Sequence, residues 1–199
     1  MVYIIVVAVL GIIIMTYYRF QKSKHDVIEK DALQLAWENK DYDAYIDLIN
    51  EKIAKTGKKK EKNILATLKM QVYVMQKDWD RMNSLKKQVK TKDLPKKIQV
   101  TFLTQYIIGL CLSGEPQKGL KWLEIEEALF QEAEANGTYT LYINTLKALK
   151  AFYQEDYDKS RDLFTALDAR NINDNFYAPL FRRYLKKIDD LSQTKAITD

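Results

Sequence analysis

The chain has few residues with which to staple loops, hold metals or carry out catalysis. Its 199 residues include one cysteine, one histidine, three prolines and six glycines. A single cysteine excludes an intrachain disulfide and fits a reducing compartment. Cys111 lies inside the apolar pattern Tyr106–Leu112 and reads as a packed core residue. The one histidine, His25, has no cysteine and no second histidine beside it. It can complete neither a zinc site nor a nucleophile–histidine pair, and it reads as a polar residue at an interface. The glycines form no phosphate-binding loop. Scarce glycine and proline, with frequent Leu, Lys, Ala, Glu and Gln, favour helices. These absences lead to the expectation of a non-enzyme with no catalytic residue, no metal and no cofactor.

One stretch lacks charge altogether. Val2–Tyr18 is interrupted only by Gly11 and Thr16, and Phe20 extends it. This is close to the ~20 apolar residues of helix that cross a bilayer. Tyr3 at one end and Tyr17, Tyr18 and Phe20 at the other stand where aromatic belts lie. No basic residue precedes the run and no A-x-A site follows it, unlike a cleaved signal peptide. The expectation is an uncleaved single-pass anchor over residues 1–20, bounded by Val2 and Tyr18. A basic linker follows over residues 21–25. Arg19, Lys22 and Lys24 come immediately after the run, which orients the N-terminus outward and the rest of the chain toward the cytosol. The remainder is long enough for one domain, expected over residues 26–191, with a flexible tail at 192–199.

Within that domain, apolar residues recur at helical spacing. Ile28, Ala32, Leu35 and Ala36 begin the series. Tyr42, Tyr45, Ile46, Ile49 and Ile53 follow, then Ile64, Leu68, Val72 and Met75. Trp79, Met82, Leu85 and Val89 share a face, as do Ile98, Phe102, Tyr106 and Leu110. Trp122, Ile125 and Leu129 mark the next helix, which ends near Asn136-Gly137. Leu141, Thr145, Ala148 and Phe152 come next, then Tyr157, Ser160, Phe164 and Leu167. Phe176–Leu191 is a final amphipathic helix. The helices are punctuated by Asp41-Tyr42-Asp43, Asp78-Trp79-Asp80, Glu115-Pro116-Gln117 and Asp156-Tyr157-Asp158, spaced 37, 37 and 41 residues apart. Each Asp-x-Asp pair begins a helix, where carboxylates satisfy free N–H groups, so the pairs read as caps and not as a cation site. Spacing of this size indicates a helical solenoid in which each hairpin buries its apolar face against its neighbours.

With these turns, residues Asp26–Ala169 resemble the tetratricopeptide repeat family. The match is best at Asp156-Tyr157, where Ala148, Ser160 and Phe164 fall at the family's small, small and aromatic positions. Gly119 occupies the small position of the third hairpin, while Tyr45 and Met82 stand where the family prefers alanine. The expected fold is all-α. About four such hairpins form an α-solenoid, and a C-terminal capping helix closes it with Arg182, Arg183, Lys186 and Lys187 outward. One transmembrane helix precedes them.

The resemblance implies a scaffold that holds a protein or peptide at the membrane, in a groove lined by the first helix of each hairpin. Lys69, Tyr73, Gln105 and Asn144 are the groove candidates. Trp37, Trp79 and Trp122 read as core aromatics. Glu124, Glu126, Glu127, Glu132 and Glu134 read as a solvated face, with an acidic docking patch as the alternative. Two lysine runs, Lys55–Lys62 and Lys86–Lys97, lie in the loops between hairpins. With Arg19, Lys22 and Lys24 they form one basic edge, in which Lys58, Lys59, Lys60, Lys96 and Lys97 are expected to meet anionic lipid. The rival readings are an envelope protein with its repeats outside, assisting the assembly or folding of other proteins, and an enzyme. Nucleic-acid binding ranks low, because the net charge is only +5 and few aromatics interleave the lysines.

Overall fold

The computed structural model describes residues 40–137 and 139–198. The expected anchor, Arg19, Lys22, Lys24, His25 and Trp37 lie outside the described residues. The chain divides into two compact units, Met1–Leu48 and Ile49–Asp199. All described secondary structure is helical, with no strand among the described residues. None of these helices is long and apolar enough to cross a membrane.

Helix α1 is Tyr42–Lys55, and it runs from the first unit into the second. Asp41 caps it, its Oδ1 accepting from the Ala44 N–H at 3.1 Å. Asp43 lies in its first turn, and Lys52 and Lys55 lie in its last, each matched to the local end of the helix dipole. Tyr45, Ile46 and Ile49 are buried.

In the second unit, α2 (Lys59–Thr67) and α3 (Lys69–Gln76) form a broken helix. The break has a local cause. The Thr67 hydroxyl donates back to the Ile64 carbonyl at 2.6 Å, and the Leu68 N–H bonds the Leu65 carbonyl, which tightens the turn. The sequence pattern places Leu68 on the apolar stripe. Leu68 is instead 46% exposed, and Met70, Val72, Tyr73 and Val74 fill the interior. Helix α4 (Trp79–Gln88) returns, and a short 3-10 turn, Thr91–Asp93, leads to α5 (Lys96–Leu112).

Helix α5 is the centre of this unit. Helices α2, α3 and α4 contact it, as do α6 (Pro116–Ile125), α7 (Glu127–Ala135) and α8 (Thr140–Tyr153). Every residue from Phe102 to Cys111 is therefore buried. The sequence reading of a single apolar face at Ile98, Phe102, Tyr106 and Leu110 understates this. A helix apolar all round is one enclosed all round. Two polar members of α5 find partners, Gln105 Nε2 donating to Gln71 Oε1 at 2.9 Å and the Tyr106 hydroxyl to Asn83 Oδ1 at 3.1 Å, while the buried Thr104 hydroxyl has none among the described residues.

The single helix expected from Trp122 to Asn136 is two, α6 and α7, interrupted at Glu126 (φ −106°, ψ 20°). Ile125, placed on the apolar stripe by its spacing, is 58% exposed at that break. Helix α8 pairs with α9 (Tyr157–Arg170), and α9 with α10 (Tyr177–Thr198). Helix α10 buries Phe176 beside its start, then Tyr177, Phe181, Tyr184 and Ile188, and keeps Arg182, Arg183 and Lys186 exposed. Phe164 stacks on Tyr184 at 5.1 Å between ring centres, and the Tyr153 hydroxyl bridges Tyr184 Oη at 2.8 Å and the Cys111 carbonyl at 3.2 Å. The helix continues past Leu191 to Thr198, so the stretch expected as a flexible tail is helical up to that residue.

The turns that open α4, α6 and α9 share one geometry. Lys77, Gly114 and Glu155 are left-handed (φ 58°, 90° and 64°). The next residue closes a 6→1 bond in each case: Asp78 N–H to Tyr73, Glu115 N–H to Leu110 and Asp156 N–H to Ala151, at 2.9–3.0 Å. Asp78 and Asp156 then cap the following helix by accepting from the Arg81 and Lys159 N–H groups. Lys40 ahead of Asp41 has the same left-handed φ, 54°. The first aspartate of each Asp-x-Asp turn, Asp41, Asp78 or Asp156, thus caps a helix, and the second lies in that helix's first turn.

Candidate functional site

The four groove candidates are placed unequally. Tyr73 and Gln105 are buried, Tyr73 beneath the Arg81 guanidinium at 5.1 Å and Gln105 against Gln71. Gln105 belongs to the packing between first helices and Tyr73 lies against α4, and both offer a partner little surface. Lys69 is half-buried, with its Nζ donating to Asn50 Oδ1 at 3.0 Å, and burial pulls its pKa below the ordinary lysine value. Asn144 is half-buried on α8.

The lysines of the expected basic edge also divide. Lys96 pairs with Glu132, its Nζ 2.6 Å from Oε2. Lys86 lies over the Trp122 ring at 4.1 Å, and burial lowers its pKa, partly offset by the Glu126 carboxylate. Lys147 pairs with Glu134. The glutamate-rich face of α6 and α7 is thus exposed at Glu124 and Glu127 and neutralised by lysines at Glu132 and Glu134.

Lys58, Lys59, Lys60 and Lys97 are exposed. Two of these, Lys59 and Lys60, line a concavity of about 690 Å³ with Lys62, Lys69 and Lys90. It is formed by the end of α1, by α2 and the start of α3, and by the loop after α4. Asn63 holds that loop in place: its Nδ2 donates to the Lys90 carbonyl at 3.0 Å and its Oδ1 accepts from the Lys90 N–H at 3.1 Å. The only acid within the Lys58–Lys62 run, Glu61, accepts from the Thr56 hydroxyl at 2.9 Å. The sequence shows the lysine run but not this enclosure, which depends on Asn63 and Lys90 meeting across 27 positions.

A second concavity, about 400 Å³, is apolar at its floor. Met75, Trp79, Leu112, Phe176, Pro179 and Leu180 line it, with Lys77 and Arg183 at its rim. Trp79 and Trp122 are both half-buried, so neither is a fully enclosed core aromatic. Cys111 is buried, and burial pushes its thiol up to about 12, which leaves no reactive thiolate at neutral pH. Among the described residues, no cluster of three His, Cys, Asp or Glu side chains is placed to hold a metal ion.

No protein-family model, curated protein or solved structure matches this chain.

Proposed function

We propose that the chain is a membrane-anchored interaction scaffold of tetratricopeptide-repeat type, an α-solenoid that holds a protein partner at the cytoplasmic face. The observation that carries this reading is the repeated turn. A left-handed residue, a 6→1 closure and a helix start recur at Lys77, Gly114 and Glu155. First helices stand beside first helices, α3 by α5 and α5 by α8, as they do in a solenoid. The surface best suited to a protein is the apolar concavity at Trp79, where a half-buried indole beside Met75 and Phe176 offers an anchor site and Lys77 and Arg183 a charged rim. The anchor supplies the location, and the exposed lysines Lys58, Lys59, Lys60 and Lys97 suit an anionic leaflet.

Two measurements on the full chain test the proposal. A cysteine at Thr198 should resist an impermeant thiol reagent in intact cells, and Cys111 is too buried to confuse the readout. Ready labelling would reverse the orientation. A photo-crosslinking residue at Met75 or Pro179 should give a discrete adduct that the same residue at exposed Thr165 does not. Identical patterns from both faces would remove the partner site from Trp79.

A further inference from the structure

What sets the lysine-lined concavity apart is the number of cations gathered in it. Several cations elsewhere pair with carboxylates: Lys55 with Glu51, Arg81 with Asp78, Lys118 with Glu115, Arg161 with Asp189. Lys59, Lys60, Lys62 and Lys90 have no carboxylate within ion-pair distance among the described residues, and Lys69 bonds only a neutral amide, Asn50. Five lysines and one acid, Asp93, line the concavity, a net +4. Like charges gathered in one concavity repel, and a multivalent anion reverses the sign of that interaction.

The shape and side chains narrow the class of anion. The volume is within the roughly 300–1,000 Å³ of small-molecule sites. No arginine lines it, and its cations are lysine ammoniums, which meet phosphate oxygens as point charges. No aromatic lines it on which a base could stack. Its apolar side chains are Ile53, Ala66 and Val89. Asn63 fixes the Lys90 backbone against α2, so the loop that carries Lys90 is held in place before any ligand arrives.

We propose that this concavity binds a compact ligand carrying two phosphate groups, supplied as a free diphosphate or as the two-phosphate headgroup of a membrane lipid. The inference stands on the concavity and not on the Trp79 surface; its lipid arm rests on the proposed anchor, whereas pyrophosphate binding tests the concavity alone.

The test uses the full chain in phosphatidylcholine nanodiscs, titrated calorimetrically with pyrophosphate and with orthophosphate at fixed ionic strength. Pyrophosphate should bind saturably at one site per chain and more tightly than orthophosphate. The paired change Lys59→Gln with Lys60→Gln should weaken it by about tenfold or more. Asn63→Ala changes no charge but releases Lys90, and it should weaken binding too. The paired change Lys121→Gln with Lys159→Gln, an equal charge change at exposed lysines outside the concavity, should not. Circular dichroism checks folding, and if Asn63→Ala unfolds, the Lys59/Lys60 variant against the Lys121/Lys159 variant carries the comparison. Cardiolipin in the disc assigns the source: a raised apparent Kd for pyrophosphate identifies the lipid headgroup, and an unchanged one identifies a free diphosphate. The proposal is overturned by absence of saturable pyrophosphate binding, or by equal loss in the Lys59/Lys60 and Lys121/Lys159 variants, which is diffuse charge. Tighter binding of an oligoglutamate than of pyrophosphate also overturns it, in favour of an acidic protein segment.

Discussion

Ser160 Oγ donates to the backbone carbonyl of Ala148 at 3.0 Å, inside the contact between α8 and α9, and both residues are fully buried. The hydroxyl can reach that carbonyl only because neither residue carries a larger side chain. Ala148→Trp forces the helices apart and should lower stability by roughly 1–3 kcal/mol or more. Ser160→Ala keeps the spacing and removes one hydrogen bond, for about 1 kcal/mol. Urea unfolding of the full chain checks the order. Equal midpoints for Ala148→Trp and the parent would mean that the two helices do not approach this closely.

Met82 solves the same packing problem differently. A Cβ at Gly109 would come within 2.2 Å of Met82 Sδ and 3.0 Å of Val74 Cγ2, so the glycine on α5 supplies the space that a small residue on α4 would have left. Gly109→Ala gains about 1 kcal/mol of helix propensity but must displace Met82 from a fully buried site. It should destabilise by roughly 1–3 kcal/mol in the parent. It should cost less in a Met82→Ala background, with a coupling energy of about 0.5–3 kcal/mol in a double-mutant cycle. Additive effects would contradict the contact.

The repeated turns make a prediction of opposite signs. Gly114 sits at φ 90°, where an added Cβ is strained even though nothing lies within 4 Å of it. Gly114→Ala should cost roughly 1–2 kcal/mol. Lys77 and Glu155 hold the equivalent left-handed positions with side chains attached. Lys77→Gly and Glu155→Gly should therefore stabilise, by up to about 1 kcal/mol each. Thermal midpoints that fall for all three would refute the shared turn.

Alkaline pH should unfold the protein. Burial pushes Tyr45 and Cys111 up to about 12 and holds Tyr177 and Tyr184 well above the ordinary tyrosine value. A folded pKa above the unfolded one means that proton loss favours unfolding. The contribution of these groups is complete below about pH 9 and is lost as pH rises, at about 1.4 kcal/mol per pH unit for each group between its two values. Lys69, Lys86 and Lys187 are lowered by burial and act in the opposite sense up to the ordinary lysine value. Stability should therefore change little from pH 7 to 9 and fall beyond about 10. A thermal midpoint constant from pH 8 to 11 would show that these tyrosines are open to solvent.

Sequence alone determined what depends on neighbours three or four residues apart. Helical periodicity found the helices, short polar side chains found the caps at Asp41, Asp78 and Asp156, and the spacing of the turns found the positions of the left-handed residues Lys77, Gly114 and Glu155. Small residues at Ala148, Gly119 and Ser160 marked close contacts because size is written in the residue itself. Tertiary structure decided the rest. Only a neighbour's position makes α5 buried on every side, turns Leu68 and Ile125 outward at helix breaks, or lets Gly109 compensate for Met82. Charge behaves the same way. A run of lysines looks uniform along the chain, yet Lys86 lies over Trp122, Lys96 meets Glu132, and Lys59, Lys60 and Lys90 surround one concavity. Coulomb and packing energies depend on distances through space, and those are fixed only when residues far apart in sequence, such as Asn63 and Lys90, are brought together.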